Sequence, residues 1–198
     1  MASNYTLSGA TINVTIIPRT LNVSLSREYD GTTSVSGVSL TPTFDSLQGG
    51  ETLSLSGTGS VSNANVGSSK AVSLGSIALA AGSGNPSNYT LNSATMSITQ
   101  RVINLDGIRA YDASTNVLSS DISTFGNIVS GETLTISGTG SVGSNSVAMN
   151  KAVTIGSLSL GNGSGLASNY TLTGGTHTFD ISPAVSYTHL TLPTKRIV

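Results

Sequence analysis

The chain repeats itself, and the length of the repeat is what most limits its fold. SNYTL occurs at residues 3–7, 87–91 and 168–172. GETLSLSGTGSV at 50–61 returns as GETLTISGTGSV at 131–142, and KAVSLGS at 70–76 returns as KAVTIGS at 151–157. The offset is about 81 residues. That is too long for one coil of a solenoid and long enough for a small domain with its own core. The chain is therefore a tandem array, and arrays of this kind are spacers or binding stalks more often than enzymes.

Alignment of the copies frames two complete units, 19–100 and 101–183, with Pro18 opposite Pro183. Residues 3–18 match only the end of a unit, 168–183, and residues 1–18 are expected to be the last piece of a truncated upstream repeat. After Pro183 the repeat stops. VSYTHLTLPT, Val185 to Thr194, is what one frame of a transposase-type sequencing adapter encodes. Residues 184–198 are therefore expected to be a non-native tail and are kept out of any site.

Charge is sparse: 9% of residues, with a formal net charge of −1. No basic patch is interleaved with aromatics, which argues against nucleic-acid binding. No apolar run approaches the ~18 residues of a membrane-spanning helix. The absence of Cys excludes disulfides and thiol chemistry.

Val, Ile and Thr alternate with polar residues throughout, which predicts strands, about six or seven in each unit. Leu21, Val23 and Leu25 share one face; so do Leu53 and Leu55, and Leu134 and Ile136. In the KAV segment Val72 and Leu74 are out of phase with Ile77 and Leu79. Val153 and Ile155 slip likewise against Leu158 and Leu160. Both slips fall at a Gly-Ser pair, Gly75-Ser76 and Gly156-Ser157, and predict a β-bulge or a strand that changes sheets. NSA, SGA and TGG near the end of each copy are expected to be short turns. The fold class is all-β: tandem small sandwich-like modules, Ig-like or β-grasp-like, since periodicity does not give strand order.

Ten charges recur between the units: Arg19/Arg101, Arg27/Arg109, Asp30/Asp112, Glu51/Glu132 and Lys70/Lys151. Their expected work is turn chemistry and a few surface ion pairs. Arg27 with Tyr29-Asp30-Gly31, then GETL, SGTGSV, NVGSSKAVSLGSIAL and NYTL, resembles the YDG repeat of filamentous-haemagglutinin-like bacterial surface adhesins. The resemblance covers 19–100 well. It covers 101–183 with departures, since YDG becomes Tyr111-Asp112-Ala113 and NVG becomes Ser146-Val147-Ala148. A positive φ at Gly31 would then imply a changed turn at Ala113. The resemblance implies a non-catalytic extracellular module on a bacterial cell surface, with no cofactor. Its partners are neighbouring repeats of the same chain, and host or environmental glycans or proteins in the rival reading. The signature residues are Arg27, Tyr29, Asp30, Gly31, Glu51 and Lys70, and in the second unit Arg109, Tyr111, Asp112, Glu132 and Lys151.

Catalytic chemistry finds little to stand on. His177, aligned with Ile12 and Met96, is expected to be a tolerated surface change. Asp30 with Glu51 is a conceivable carboxylate pair that nothing in the sequence brings together. SGTGS lacks the Lys of a phosphate loop and a following helix, and reads as strand and bulge. Glu28, Asp30 and Asp112 lack the spacing of a calcium loop. The first expectation is a stalk segment whose short junctions, Pro18-Arg19 and Gln100-Arg101, limit flexing. The second is direct binding, with Tyr29 and Tyr111 as the aromatic groups; exposure would favour binding and burial would favour the stalk.

Overall fold

The computed structural model describes residue 9 and residues 11–184. The adapter-like string from Val185 onward lies outside the described residues. In the first repeat the strands are β1 (Arg19–Glu28), β2 (Ser34–Ser36), β3 (Thr43–Phe44), β4 (Leu53–Ser56), β5 (Thr58–Val61), β6 (Gly67–Ser73), β7 (Ala78–Ala81) and β8 (Tyr89–Thr99). In the second they are β9 (Arg101–Val102), β10 (Asn104–Ala110), β11 (Asn116–Leu118), β12 (Ile122–Gly126), β13 (Leu134–Ser137), β14 (Thr139–Val142), β15 (Ala148–Thr154), β16 (Ser159–Asn162), β17 (Tyr170–Thr171) and β18 (His177–Ser182). The chain is all-β, as its alternation predicts, with more and shorter strands per repeat than the hydrophobic pattern alone resolves.

Each repeat builds a six-stranded sheet. Its order is β2-β5-β6-β8-β1-β3 in the first and β11-β14-β15-β18-β10-β12 in the second. In the second, β10 and β18 lie side by side and parallel. The start and the end of the repeat thus meet at the centre of the sheet. Alternation puts one face of each strand inside: Leu21, Val23 and Leu25 on β1 are all buried. The cores gather Leu21, Leu53 and Tyr89 in the first repeat, and Val117, Val142, Phe179 and Ile181 in the second.

The Gly-Ser slips are places where the chain leaves one sheet for another. β5 pairs with β6 in the large sheet, while β4 pairs with β7 in a two-stranded ribbon. Both arms of this long hairpin bend together, at Gly57 and at Gly75-Ser76. The Ser76 amide donates to the Thr58 carbonyl at 2.9 Å, and the Thr58 amide donates to Ser76 Oγ at 2.9 Å. Gly57 has φ +76°, and a Cβ there would lie 2.0 Å from the Ser76 carbonyl oxygen. The second repeat bends identically at Gly138 and Gly156-Ser157.

Three expectations need correction. NSA at 92–94 is not a turn, because β8 runs through it. The slip in side-chain phase is absorbed inside an extended strand, held by Asn92 and Ser93 bonding Asn22 Oδ1. TGG at 173–175 does turn, with Gly174 at φ +84°. That turn shifts the alignment by two residues. Thr95 reaches Ser24, whereas Thr178 reaches Asp106. The Tyr29 amide donates to Thr99 O, whereas that of Tyr111 donates to Ser182 O. His177 therefore stands in the place of Ala94, not Met96, and Phe179 takes the place of Met96. His177 is also buried rather than on the surface. Its Nδ1 accepts from the Leu105 amide at 3.1 Å, and its Nε2 lies 2.9 Å from the Leu172 carbonyl. These contacts satisfy both ring nitrogens and make the burial tolerable. The third correction is at Ala113. It adopts φ +63°, close to the +76° of Gly31, so the turn is kept.

Residues 11–18 form no strand. Val14 and Ile16 are 79% and 91% exposed, against 0% and 2% for the aligned Phe179 and Ile181.

By internal packing the chain divides into two compact units, and these do not follow the repeats. One holds the chain up to Arg27 together with 33–63 and 68–97. The other holds 28–32, 64–67 and the chain from Ile98 on. The second unit thus includes two loops of the first repeat.

Candidate functional site

A polar cluster with buried members lies within the second unit, around Glu132. This residue follows the turn that closes before β13. Tyr170 opens β17 after a short 3-10 helix over Ala167–Asn169, and Tyr29 lies in the 28–32 loop. Tyr29 donates its phenol to Glu132 Oε1 and Tyr170 to Oε2, each at 2.6 Å. The two rings meet edge to face, centroids 5.4 Å apart at 81°, a geometry the ring quadrupoles favour. Both phenols are buried, and the Val129 amide donates to the Tyr170 oxygen at 3.2 Å. Burial first, and then the hydrogen bond to Glu132, pushes both phenols above their ordinary pKa.

The 28–32 loop is held from its other side by Arg101. The guanidinium donates to the Tyr29 carbonyl at 3.3 Å and to the Asn127 carbonyl and side-chain oxygen at 2.6 and 2.7 Å, and pairs with Glu28 at 3.6 Å. The 64–67 loop is held by Asn169, 1% exposed. Its Oδ1 accepts from the Val66 amide at 2.9 Å, and its Nδ2 donates to Asn65 Oδ1 at 3.0 Å.

The first unit carries the same receiving parts without those loops. Tyr89 donates to Glu51, and the Gln48 amide donates to the Tyr89 oxygen at 3.3 Å. The bond to Glu51 is the main cause that raises the Tyr89 phenol pKa. Asn88, aligned with Asn169, is exposed.

The remaining signature residues are local fasteners. Arg27 donates to the Ser34 carbonyl at 2.6 Å. Arg109 repeats this on the Asn116 carbonyl, adds the Ser114 carbonyl, lies over the Phe179 ring, and pairs with Asp112 at 3.2 Å and Asp121 at 3.8 Å. Asp30 accepts from the Thr32 amide and Asp112 from the Ser114 amide, each at 2.9 Å, closing matching turns at Gly31 and Ala113. Lys70 reaches Asn63 at 2.7 Å, and Lys151 reaches Ser144 at 2.9 Å. The recurring charges therefore bond backbone and loop groups as well as partners of opposite charge. Asp30 and Glu51 belong to different units and bond different partners.

Tyr29 is 4% exposed and Tyr111 is 42% exposed. Repeat-to-repeat equivalence thus separates the two aromatics that the sequence treats alike. Sequence reading also passes over Asn169 and Tyr170, and lists Arg101 only as a recurring charge. The signal for Asn169 and Tyr170 is the string SNYTL itself, which occurs three times unchanged in the chain. Among the described residues no group of three or more His, Asp or Glu is arranged to hold a metal ion. Also among them, no helix is long and apolar enough to cross a membrane.

Two successive all-β modules, with matching strand orders and matching loop fasteners, define a tandem-repeat protein. The YDG domain family matches residues 13–97 and again 99–178, and the chain belongs to it. No curated protein and no solved structure matches the chain.

Proposed function

We propose that the chain is a non-catalytic stalk or spacer segment of a large, repetitive bacterial surface adhesin of the filamentous-haemagglutinin-like kind, working outside the cell. The observation that supports this reading is the makeup of the second unit. Two loops of the first repeat are bonded into it through Glu132, Tyr170, Arg101 and Asn169. Repeats that share loops in this way cannot flex as freely as beads on a Gly/Ser linker, and limited flexing is what a spacer needs. The test pulls the full chain between its ends and measures force against extension. Cooperative unfolding steps, one for each unit, are expected. Smooth extension at negligible force would remove the spacer reading.

A second reading, a glycan- or host-protein-binding module, has one observation in its favour. Tyr111 is exposed, and its hydroxyl has no partner among the described residues. A glycan and host-protein array probed with the full chain and with Tyr111→Ala separates the two. Binding lost with Tyr111 would favour this second reading.

A further inference from the structure

The Glu132 cluster leaves one buried titratable ring of the second unit without a use. His177 is 8% exposed. It opens β18, the strand that runs parallel to β10 at the centre of the sheet, and its partner across that ladder is Leu105. The first repeat has no such ring. Ala94 stands in its place, buried inside the unbroken β8.

The ring mends a break in the ladder. β17 and β9 run parallel, and the Ile103 amide donates to the Thr171 carbonyl at 2.8 Å. Two residues further along, the Leu105 amide points the same way. The strand it would meet has left, because the TGG turn carries 173–175 aside, closed by the Gly175 amide donating to the Leu172 carbonyl at 3.1 Å. His177 Nδ1 accepts the Leu105 amide instead, at 3.1 Å, and Nε2 lies 2.9 Å from the Leu172 carbonyl. These partners fix the tautomer. An amide N–H only donates and a carbonyl only accepts, so Nδ1 is bare and Nε2 carries the proton. Gly175 closes over the ring: a Cβ there would lie 2.8 Å from His177 Cε1 and 2.2 Å from the Ile103 carbonyl oxygen.

A second proton has no place in this arrangement. Imidazolium donates from both nitrogens, so a new Nδ1–H would face the Leu105 N–H. The ring then loses its bond to Leu105 and strands an amide in a residue that is 1% exposed. No charge is placed to offset this. Asp180 on β18 and Asp106 on β10 lie on the opposite face of the sheet, where they accept from the Asn150 amide and the Thr178 hydroxyl. Lys151 on β15 reaches Ser144. Arg109 on β10 pairs with Asp112 and Asp121, and Arg101 on β9 pairs with Glu28. Tyr170 on β17 donates to Glu132. Among the described residues no carboxylate is bonded to the ring.

We propose that His177 is an acid-sensitive latch in the second unit. Neutral, it holds the TGG turn and the start of β18 against β10. Protonated, it lets them go. A released imidazole takes up its proton as pH falls through about 6.5. The latched ring takes one only by giving up Leu105. The released state therefore binds more protons in mild acid, and stability of the second unit falls as pH falls. The first unit, with Ala94 in the unbroken strand, has no counterpart to this response.

Urea unfolding of the full chain between pH 7.5 and 5.5, followed at the amide signals of β10 and β18, tests the proposal. The unfolding constant read there should rise roughly tenfold over that range. His177→Gln keeps a donor and an acceptor but takes up no proton, and His177→Ala copies the first repeat. Whatever stability either variant loses at pH 7.5, the tenfold rise should disappear with the ring. Carboxylates that titrate in the same range act on all three chains alike, so the difference between them isolates His177. A second readout needs no change at the ring. In the full chain with His189→Asn, the ring nitrogen shifts come from His177 alone and should show the Nε2–H tautomer at pH 7.5. A proton on Nδ1 instead would overturn the proposal. So would an unfolding constant in the unsubstituted chain that is flat from pH 7.5 to 5.5, or a rise that His177→Gln and His177→Ala both keep. None of these results bears on the spacer reading, whose test is force resistance at neutral pH.

Discussion

Glu132 accepts hydrogen bonds from two buried phenols, so removing its carboxylate strands two hydroxyls at once. Glu132→Ala is expected to cost about 2–4 kcal/mol in denaturant unfolding, against about 1–2 for Tyr29→Phe or Tyr170→Phe, which each remove one donor to a charged acceptor. Because the two phenols share that acceptor, the effects of the paired Phe changes should not add. The same bonds set a pH dependence. Tyr29, Tyr89 and Tyr170 all have phenol pKa values raised on folding above the ordinary 10.0. Raised acids favour the folded state while they stay protonated. Their contribution is complete below pH about 10 and is lost as pH rises through the higher folded values. Denaturation midpoints should be flat from about pH 7 to 9 as far as these groups are concerned and should fall above about 10. Tyr29→Phe with Tyr170→Phe should reduce that fall without abolishing it, since Tyr89 remains. An unchanged alkaline slope in the double variant would count against the shared carboxylate. A residue with positive φ makes the opposite kind of test. Ala113 holds φ +63°, a region that strains any residue with a Cβ. Ala113→Gly should therefore stabilise the chain by about 0.5–1 kcal/mol despite the added freedom of the unfolded state.

The bent hairpin is the element that fixes the geometry of each repeat, because both of its arms change sheets at one level. Gly57 and Gly138 sit where the two arms cross, with positive φ and no room for a Cβ: 2.0 Å and 2.2 Å to the facing serine carbonyl oxygens. Gly50 and Gly131 also have positive φ but face open space. The pairs separate backbone strain from steric exclusion. Gly50→Ala should cost about 1 kcal/mol, from strain alone. Gly57→Ala must also push the arms apart and should cost about 3 kcal/mol or more. Equal losses in thermal or denaturant unfolding would mean that the crossing is not tight. This bend was legible in the sequence, because a change of sheet reverses the side-chain phase and the Gly-Ser pair marks where. The TGG turn was misplaced in register for a related reason. An insertion of two residues leaves the alternation unchanged, so Phe179 and Met96 look unaligned although they fill equivalent sites. His177 was misread because a lone polar residue in an apolar phase gives no sign of whether Leu105 and Leu172 will offer it backbone partners. Strand order was not legible at all, since the parallel meeting of β10 and β18 joins residues about 70 apart in the chain.

At the scale of the whole molecule, sequence neighbourhood and structural membership part company. Loops 28–32 and 64–67 are written in the first repeat and packed in the second unit. No periodicity reports this, because Tyr29 in REYDG and Tyr111 in RAYDA hold the same place in the repeat, and their burial follows from what lies against them. Their different burial has an energetic consequence. Tyr29→Ala removes an edge-to-face ring contact and a charge-assisted hydrogen bond from the second unit, together worth about 2–4 kcal/mol there. Tyr111→Ala removes an exposed ring and should cost at most about 0.5 kcal/mol. Local opening follows the free energy of the unit in which a contact is made. Amide exchange in Tyr29→Ala should therefore accelerate across β10, β15 and β18 of the second repeat. The ladder between β5 and β6, in the repeat that contains the substitution, should keep its protection. The reverse pattern, with loss confined to the first repeat, would show that the 28–32 loop is stabilised by its own repeat and only rests on Glu132. The spacer reading would then lose its physical basis, because a loop that can lift away without weakening the second unit cannot stiffen the array.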